Sequence, residues 1–566
     1  MKAIEELFQR IIKGGSVERP ALAGEERNMK QAIYNAKVYV NRGEFAEAVL
    51  VENGLIAKAG TNEEVLALAG DAVKIDAEGK TLVPGFNDSH MHLLQFGETL
   101  YQANIEGVTS IEDMVERCKT FIQEHPERCV NGIHAIGWNQ DMFIGDQRLP
   151  DRHDIDKIST EIPIVLERVC GHILVTNTKC IEAMGLTADS PQFPDGEFKI
   201  VDGYPNGQFF ANACNFAKKT IPDFTMEERK EIIQTAMTYA VEHGLTSMQS
   251  NDVGTTIMDI PGAFQMFHEI YDSGMAKLRY RHQVCFNDMK DFQYYLTEGE
   301  YVNGSYPEGS WLTLGPLKLF KDGSLGARTA FMRKPYPGTE DNYGREWIKH
   351  EDMLEYCKLA AKYNMQVVTH AIGDGAVEKT MDCYQEAFID GKNKLRHALV
   401  HCQITDEGLQ DRIVDQDILV MAQPIFLGYD MKIVDKVCGE ELASTSYAFG
   451  TLIRKGAHLS YGTDCPVESC NPFWNIYQAV TRKDMDGKPE GGFRPQECVD
   501  VETAIDAYTV ESAYAEFEED KKGRIKEGMY ADMVLLDKDI FTCDPMEIKD
   551  ILPVMTMVGG KIVYQK

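Results

Sequence analysis

Two histidines stand one residue apart in Pro84-Gly-Phe-Asn-Asp-Ser-His90-Met-His92. On an extended strand, residues i and i+2 point to the same side, so both imidazoles can reach one cation. Two hydrogen-bonded histidines in a turn would read the same way, so the pair needs support from elsewhere in the chain. Three other segments supply it. His370 closes the apolar run Met365-Gln-Val-Val-Thr, and His401 closes Ala398-Leu-Val one strand-plus-helix length later. Asp464 closes His458-Leu-Ser-Tyr-Gly-Thr. A His or Asp at the end of each of four such runs is the pattern of a metal site on the carboxyl rim of a parallel barrel. Neutral imidazoles with one carboxylate suit zinc or a similar borderline divalent ion, with iron and manganese as alternatives.

The elements that must hold these residues can be read from periodicity. Short apolar runs at 81–86, 162–167, 312–320, 366–369, 398–401, 418–423 and 458–462 alternate with helix-period text. Over 351–364, for instance, Met353, Leu354, Cys357 and Ala361 share one helical face. Strand–helix alternation over hundreds of residues predicts an α/β fold with a parallel sheet, and the length favours a (β/α)8 TIM barrel. The ends differ in texture. From Ala32 the chain is strand-like with an Asn53-Gly54 turn, and the last 45 residues repeat that texture around Gly559-Gly560. Residues 31–80 plus 495–566 therefore read as one composite β-sandwich, and 81–494 as the barrel. The stretch at about 100–240 is too long for one crossover and reads as an inserted α/β subdomain. Residues 1–30 read as an amphipathic lead-in helix.

Composition narrows the function. The 566 residues are 43% hydrophobic and carry a net charge of −31, enough apolar material for a folded core. That acidity disfavours nucleic acid and anionic membranes as partners, which leaves a small-molecule substrate and keeps a homodimer open. The N-terminal segment lacks the apolar core of a signal peptide, and no apolar run is long enough to span a bilayer. Fourteen scattered cysteines with no CxxC pair predict free thiols in a reducing compartment, the cytoplasm.

Together with the lysine-bearing LKLFKDGSLGARTA (317–330), the segments PGFNDSHMH, THAIGDGAV (369–377), HALVHCQ (397–403) and YGTDCPVESCNPF (461–473) resemble the amidohydrolase superfamily. More narrowly they resemble its YtcJ-like, amidohydrolase-3 branch, which contains N-substituted formamide deformylase. The resemblance extends from about residue 32 to the end. It implies a barrel beside a composite β-sandwich and hydrolysis at one or two divalent metals.

Carried over to this chain, the resemblance makes His90, His92, His370, His401 and Asp464 metal ligands. It puts Lys318 where relatives carry a carboxylated lysine that bridges two ions. A buried neutral amine can add carbon dioxide, although a lysine paired with Asp322 or Asp464 would never react. One ion or two follows from that lysine. Trp138, Arg168 and His172 fall in segments implied to contact substrate. Asp322, Ser324 and Arg328 read as groups orienting Lys318, Asp374 as a helix cap and Asp88 as a brace. Cys465 replaces the tryptophan that relatives carry after the last-strand aspartate, and SMQSND (247–252) departs from the usual aspartate-bearing strand. The implied reaction cleaves an amide or formamide-like C–N bond with metal-activated water. Asp464 moves the protons and His172 holds the oxyanion. A mononuclear deaminase, which would need a glutamate closer to His370 than Glu378, and a non-catalytic scaffold are the other readings.

Overall fold

The computed structural model of the protein describes residues 30–255 and 259–566. The lead-in helix expected over 1–30 lies outside them, apart from Lys30, which opens the first strand. Eight parallel strands form the central sheet: β1 Phe86–Met91, β2 Leu245–Val253, β3 Arg279–Val284, β4 Leu312–Phe320, β5 Val367–Ala371, β6 Ala398–His401, β7 Leu419–Ala422 and β8 Leu459–Tyr461. They lie side by side in chain order, and helices between them cover the outside. Apolar residues that alternate along the strands divide accordingly. Leu317, Val367, Leu399, Val420 and Leu459 pack outward into the main core, while Val368, Val400 and Met421 form a separate cluster with Ala515. This is the (β/α)8 barrel that the alternating pattern predicts.

Closure between β8 and β1 happens at the rim. The Asp464 N–H donates to the His90 carbonyl and the His92 N–H to the Cys465 carbonyl, both at 2.8 Å. Asp88, fully buried, reinforces the seam. Its Oδ2 accepts from the Thr463 hydroxyl at 2.6 Å, and its Oδ1 accepts from the backbone N–H groups of Thr463 and His90. The brace expected at Asp88 is thus a staple between the first and last strands. Glycine is required at 462, where a Cβ would lie 2.7 Å from the His90 nitrogen.

Two further sheets form the sandwich. One, ordered Leu55–Gly60, Ala48–Glu52, Lys30–Tyr34, Val73–Asp76, faces another built from both ends of the chain. In the second, Thr81–Pro84 pairs with Lys37–Asn41 on one side and with Met533–Leu536 on the other. Ile33, Val49, Val51, Leu82, Met533 and Met555 fill the space between them. The run at 81–86 is therefore two strands. Thr81–Pro84 belongs to the sandwich, and β1 starts at Phe86 after the single residue Gly85. Helices Val501–Tyr508 and Val510–Ala515 pack against β1 and β8, so the barrel layer continues past 494.

The insert has its own five-stranded sheet, Gly196–Val201, Tyr204–Ala211, Ile173–Thr176, Ile164–Arg168 and Ile133–Trp138 in spatial order. The run at 162–167 lies there and not in the barrel. Two barrel strands, β2 (LTSMQSNDV) and β3 (RYRHQV), carry polar sequences that hide their burial. Every residue of β2 is buried, and Arg279 of β3 is buried against Asp532 at 2.7 Å. On the helix His350–Lys362 the buried stripe is Met353, Tyr356, Cys357 and Ala360, with Leu354 and Ala361 at its margin. Trp138 is fully buried in the insert core, and its indole N–H donates to the Leu166 carbonyl at 2.9 Å. Trp138→Ala is expected to destabilise the insert by about 3–5 kcal/mol, read by urea unfolding followed with circular dichroism.

Candidate metal centre

The rim of the barrel brings together residues 372 positions apart. His90 is the penultimate residue of β1, and His92 comes directly after the strand. Their Nε2 atoms lie 3.3 and 3.1 Å from Oδ1 of Asp464, and the three atoms are within 4.8 Å of one another. Asp464 has φ +57°, a left-handed conformation that an aspartate tolerates and that turns its carboxylate toward the histidines. His401 and Cys402 follow with φ +75° and +49°. Ala398 and Val400 share a cluster with Val368, so strict alternation would face His401 the other way. The left-handed turn brings it back, with its ring 4.4 Å from that of His370 and 5.9 Å from that of His90.

The tautomers are set from behind. The Nδ1–H of His92 donates to the Asn251 carbonyl at 3.0 Å, because a carbonyl can only accept. His90 Nδ1 donates to Gln283 Oε1 at 2.6 Å, and that amide is oriented by its own Nε2 donating to the Ser89 carbonyl. His401 repeats the device. Its Nδ1 donates to Gln423 Oε1 at 2.8 Å, with Gln423 Nε2 on the Met421 carbonyl. All three rings therefore present a bare Nε2 lone pair. His370 is reversed: its Nε2 donates to the Gly323 carbonyl at 3.1 Å, which leaves Nδ1 as its lone-pair atom.

Charge follows the same plan. Burial, helped by the nearby Lys318 charge, pushes His90 down to about 4 and His370 to about 3, and burial drives His401 well below its ordinary value. Burial alone would raise Asp464, but its short contacts with His90 and His92 outweigh burial and hold the carboxyl well below the usual range. His92 is the exception: burial lowers it, but the adjoining Asp464 carboxylate shifts it upward on balance. Neutral imidazoles, as at His90, His370 and His401, and an ionised carboxylate are the protonation states that a metal requires. Three acceptor atoms this close repel one another unless a cation lies between them. Ligands about 2.0–2.1 Å from a tetrahedral zinc sit about 3.3 Å apart, so the residues present fit a divalent ion.

Lys318 lies on β4, fully buried, with its amine 3.9 Å from the centre of the Phe320 ring and no hydrogen bond among the described residues. Burial lowers it to about 8, against the opposing charge of Asp464. The residues expected to orient it do other work. Asp322 accepts from the backbone N–H groups of Phe331, Ile372 and Gly373 and so fixes the loop that follows His370. Ser324 is exposed and turns its hydroxyl to the Ala327 N–H at 3.4 Å, while the Arg328 side chain makes no hydrogen bond among the described residues. Asp374 anchors Arg333 at 2.8 Å instead of capping its helix.

Trp138, Arg168 and His172 are not brought to the ligands. Arg168 binds Asn139, Gln140 and Asp141 within the insert. His172 is exposed, and its Nδ1 donates to the Cys170 carbonyl at 2.6 Å. The sequence reading passed over Gln283, Gln423 and Asn251. Gln423 closed an apolar run as the ligands do, and that signal could have found it.

The fold and this rim together define a metal-binding (β/α)8 barrel protein. Comparison with known proteins carries the assignment further. Residues 74–564 match the Amidohydrolase family. YtcJ of Bacillus subtilis, named an amidohydrolase, is 29% identical over 544 residues, covering 95% of this chain and all of its own. N-substituted formamide deformylase of Arthrobacter pascens is 24% identical over 550 residues, covering 94% of this chain and 97% of its own. A crystal structure of an uncharacterized metal-dependent hydrolase from Pyrococcus furiosus has a TM-score of 0.73 at 28% identity, covering 91% of this chain and all of that one. The chain belongs to the amidohydrolase family, in its YtcJ-like branch as the motifs led us to expect, and is a metal-dependent hydrolase. No helix among the described residues is long and apolar enough to cross a membrane.

Replacing the acceptor behind a ligand tests the site without touching the ligand. Gln283→Leu is expected to weaken divalent-metal affinity about 10–100-fold, measured by competition with a chromophoric chelator.

Proposed function

We propose that the protein hydrolyses an amide or formamide-like C–N bond of a small molecule, with zinc as the preferred ion. The observation that carries this reading is the convergence of the His90 and His92 lone pairs on one oxygen of Asp464. His90, His92 and Asp464 would hold one ion, and His370 and His401 complete the rim. A divalent ion, when bound, supplies Lewis acidity toward a carbonyl oxygen and makes a water acidic near neutral pH.

The proton path belongs to the protein. Asp464 commits Oδ1 to the histidines, while Oδ2 accepts no hydrogen bond from the described residues. Oδ2 is the atom that takes the proton from the attacking water and returns it to the departing nitrogen. His172 donates its Nδ1 proton to the Cys170 carbonyl, which leaves Nε2 as the atom that can face a substrate. Holding an oxyanion would require the imidazolium, and accepting a hydrogen bond from a substrate N–H is the role we assign it. Lys318, buried, without a hydrogen-bond partner among the described residues and lowered to about 8, is the group we propose to be carboxylated; a carbamate there would offer oxygen ligands to a second ion. The deaminase alternative gains nothing, because Glu378 lies 3.6 Å from Arg333 on a helix and is 41% exposed.

Two measurements test the proposal together. Chelation should abolish hydrolysis of N-acyl and N-formyl compounds, and zinc or manganese should restore it. Asp464→Asn at saturating metal should lower kcat about 10²–10⁴-fold. Full activity in that variant would refute the role, and ammonia release from purine or pyrimidine substrates would favour deamination instead.

A further inference from the structure

Outside the barrel, where β3 ends, Phe264, Phe286, Tyr294 and Tyr295 border a cavity of about 730 Å³ between the helices Ile260–Asp272 and Met289–Thr297. The Tyr295 ring lies 5.8 Å from Phe264 in a stacked arrangement and 5.0 Å from Phe286. Asp259, Asp291 and Glu300 lie around the same space, and no lysine or arginine lines it among the described residues.

The most enclosed of these carboxylates is built in place. Oε1 of Glu300 accepts from the Tyr306 hydroxyl at 2.7 Å and from His268 at 2.6 Å, while Oε2 accepts no hydrogen bond from the described residues. The Tyr295 hydroxyl, buried in the wall, has no hydrogen-bond partner among them either.

We propose that this cavity is a second binding site, separate from the metal centre, for a small organic ammonium ion. Aromatic faces attract a desolvated cation through their quadrupoles, and Glu300 supplies the opposing charge. An anion would meet Asp259, Asp291 and Glu300 with only His268, already bonded to Glu300, to offset them. A neutral ligand would cover the Glu300 carboxylate without pairing it. The wall is shared with the metal centre's support, since Cys285 and Phe286 continue directly from β3, whose Gln283 fixes His90.

Choline and its uncharged isostere 3,3-dimethyl-1-butanol separate charge recognition from apolar burial. Binding of each is measured by isothermal titration calorimetry on the metal-loaded protein. Choline is expected to bind saturably and at least tenfold more tightly than the alcohol. Glu300→Gln, which keeps the Oε1 acceptor, and Tyr294→Ala, at a half-exposed position, should each weaken choline at least fivefold with unfolding midpoints unchanged. Choline binding should also persist after chelation of the metal. Absent or non-saturable choline binding, equal affinity for the alcohol, indifference to both substitutions, or loss of binding on chelation would each overturn the proposal. None of these readings depends on turnover.

Discussion

Three lone pairs aimed at one point, in a place that water reaches poorly, are the constraint around which this molecule is arranged. Bare acceptors at 3.1 and 3.3 Å are unfavourable without a cation between them, and low exposure makes the repulsion worse. The fold does not relax the conflict. It enforces it, by giving each Nδ1 proton an acceptor behind the ring and by pinning two of those acceptors, Gln283 and Gln423, through their own amide nitrogens. The Asp88 staple and the close approach at Gly462 then keep the first and last strands from drifting apart. Energy stored in such an arrangement is released when a cation arrives, which is how a protein obtains affinity from preorganisation.

Much of this was legible in the residues. Imidazoles and a carboxylate that terminate apolar runs stand out because nothing in strand packing calls for them there. The barrel showed itself wherever its strands are apolar, at β4 through β8. It disappeared at β2 and β3, whose side chains are polar because they bond to one another and to the C-terminal segment: Tyr280 donates to Asp252, and Arg281 to the Glu516 carbonyl. Hydropathy reports burial only when burial is apolar, and a polar network is silent to it. The 162–167 run failed for the opposite reason. An apolar strand looks the same in a barrel and in an insert, and only its pairing with Ile133–Trp138 and Ile173–Thr176 tells them apart.

Motif likeness was also uneven in what it conveyed. Three of the candidate ligands it named, His90, His92 and Asp464, do meet on the rim, because their positions follow from strand ends. It was less informative for the groups around Lys318, where Asp322 proved to serve the backbone after β5 and Ser324 to face solvent. Tryptophan in a substrate-side segment is as suited to filling a small core as to gripping a ligand, and Trp138 does the former. The insert carries its own packing on both faces of its sheet, so its sequence can diverge without disturbing the rim. The metal rim and the insert are thereby separately stabilised parts of one chain.

The passage from Thr81–Pro84 to β1 couples the metal rim mechanically to the sandwich. A single residue, Gly85, separates the sandwich strand from the strand that bears the first two histidines, and its N–H is held by the Asp532 carbonyl. The neighbour that completes that sheet, Met533–Leu536, comes from the far side of the barrel in the chain. Without that pairing, the strand bearing His90 and His92 would follow a sheet that lacks its central partner. The rim therefore depends on the sandwich as well as on its own ligands: a chain without Met533–Leu536 carries every candidate ligand but lacks the sheet that holds the first two.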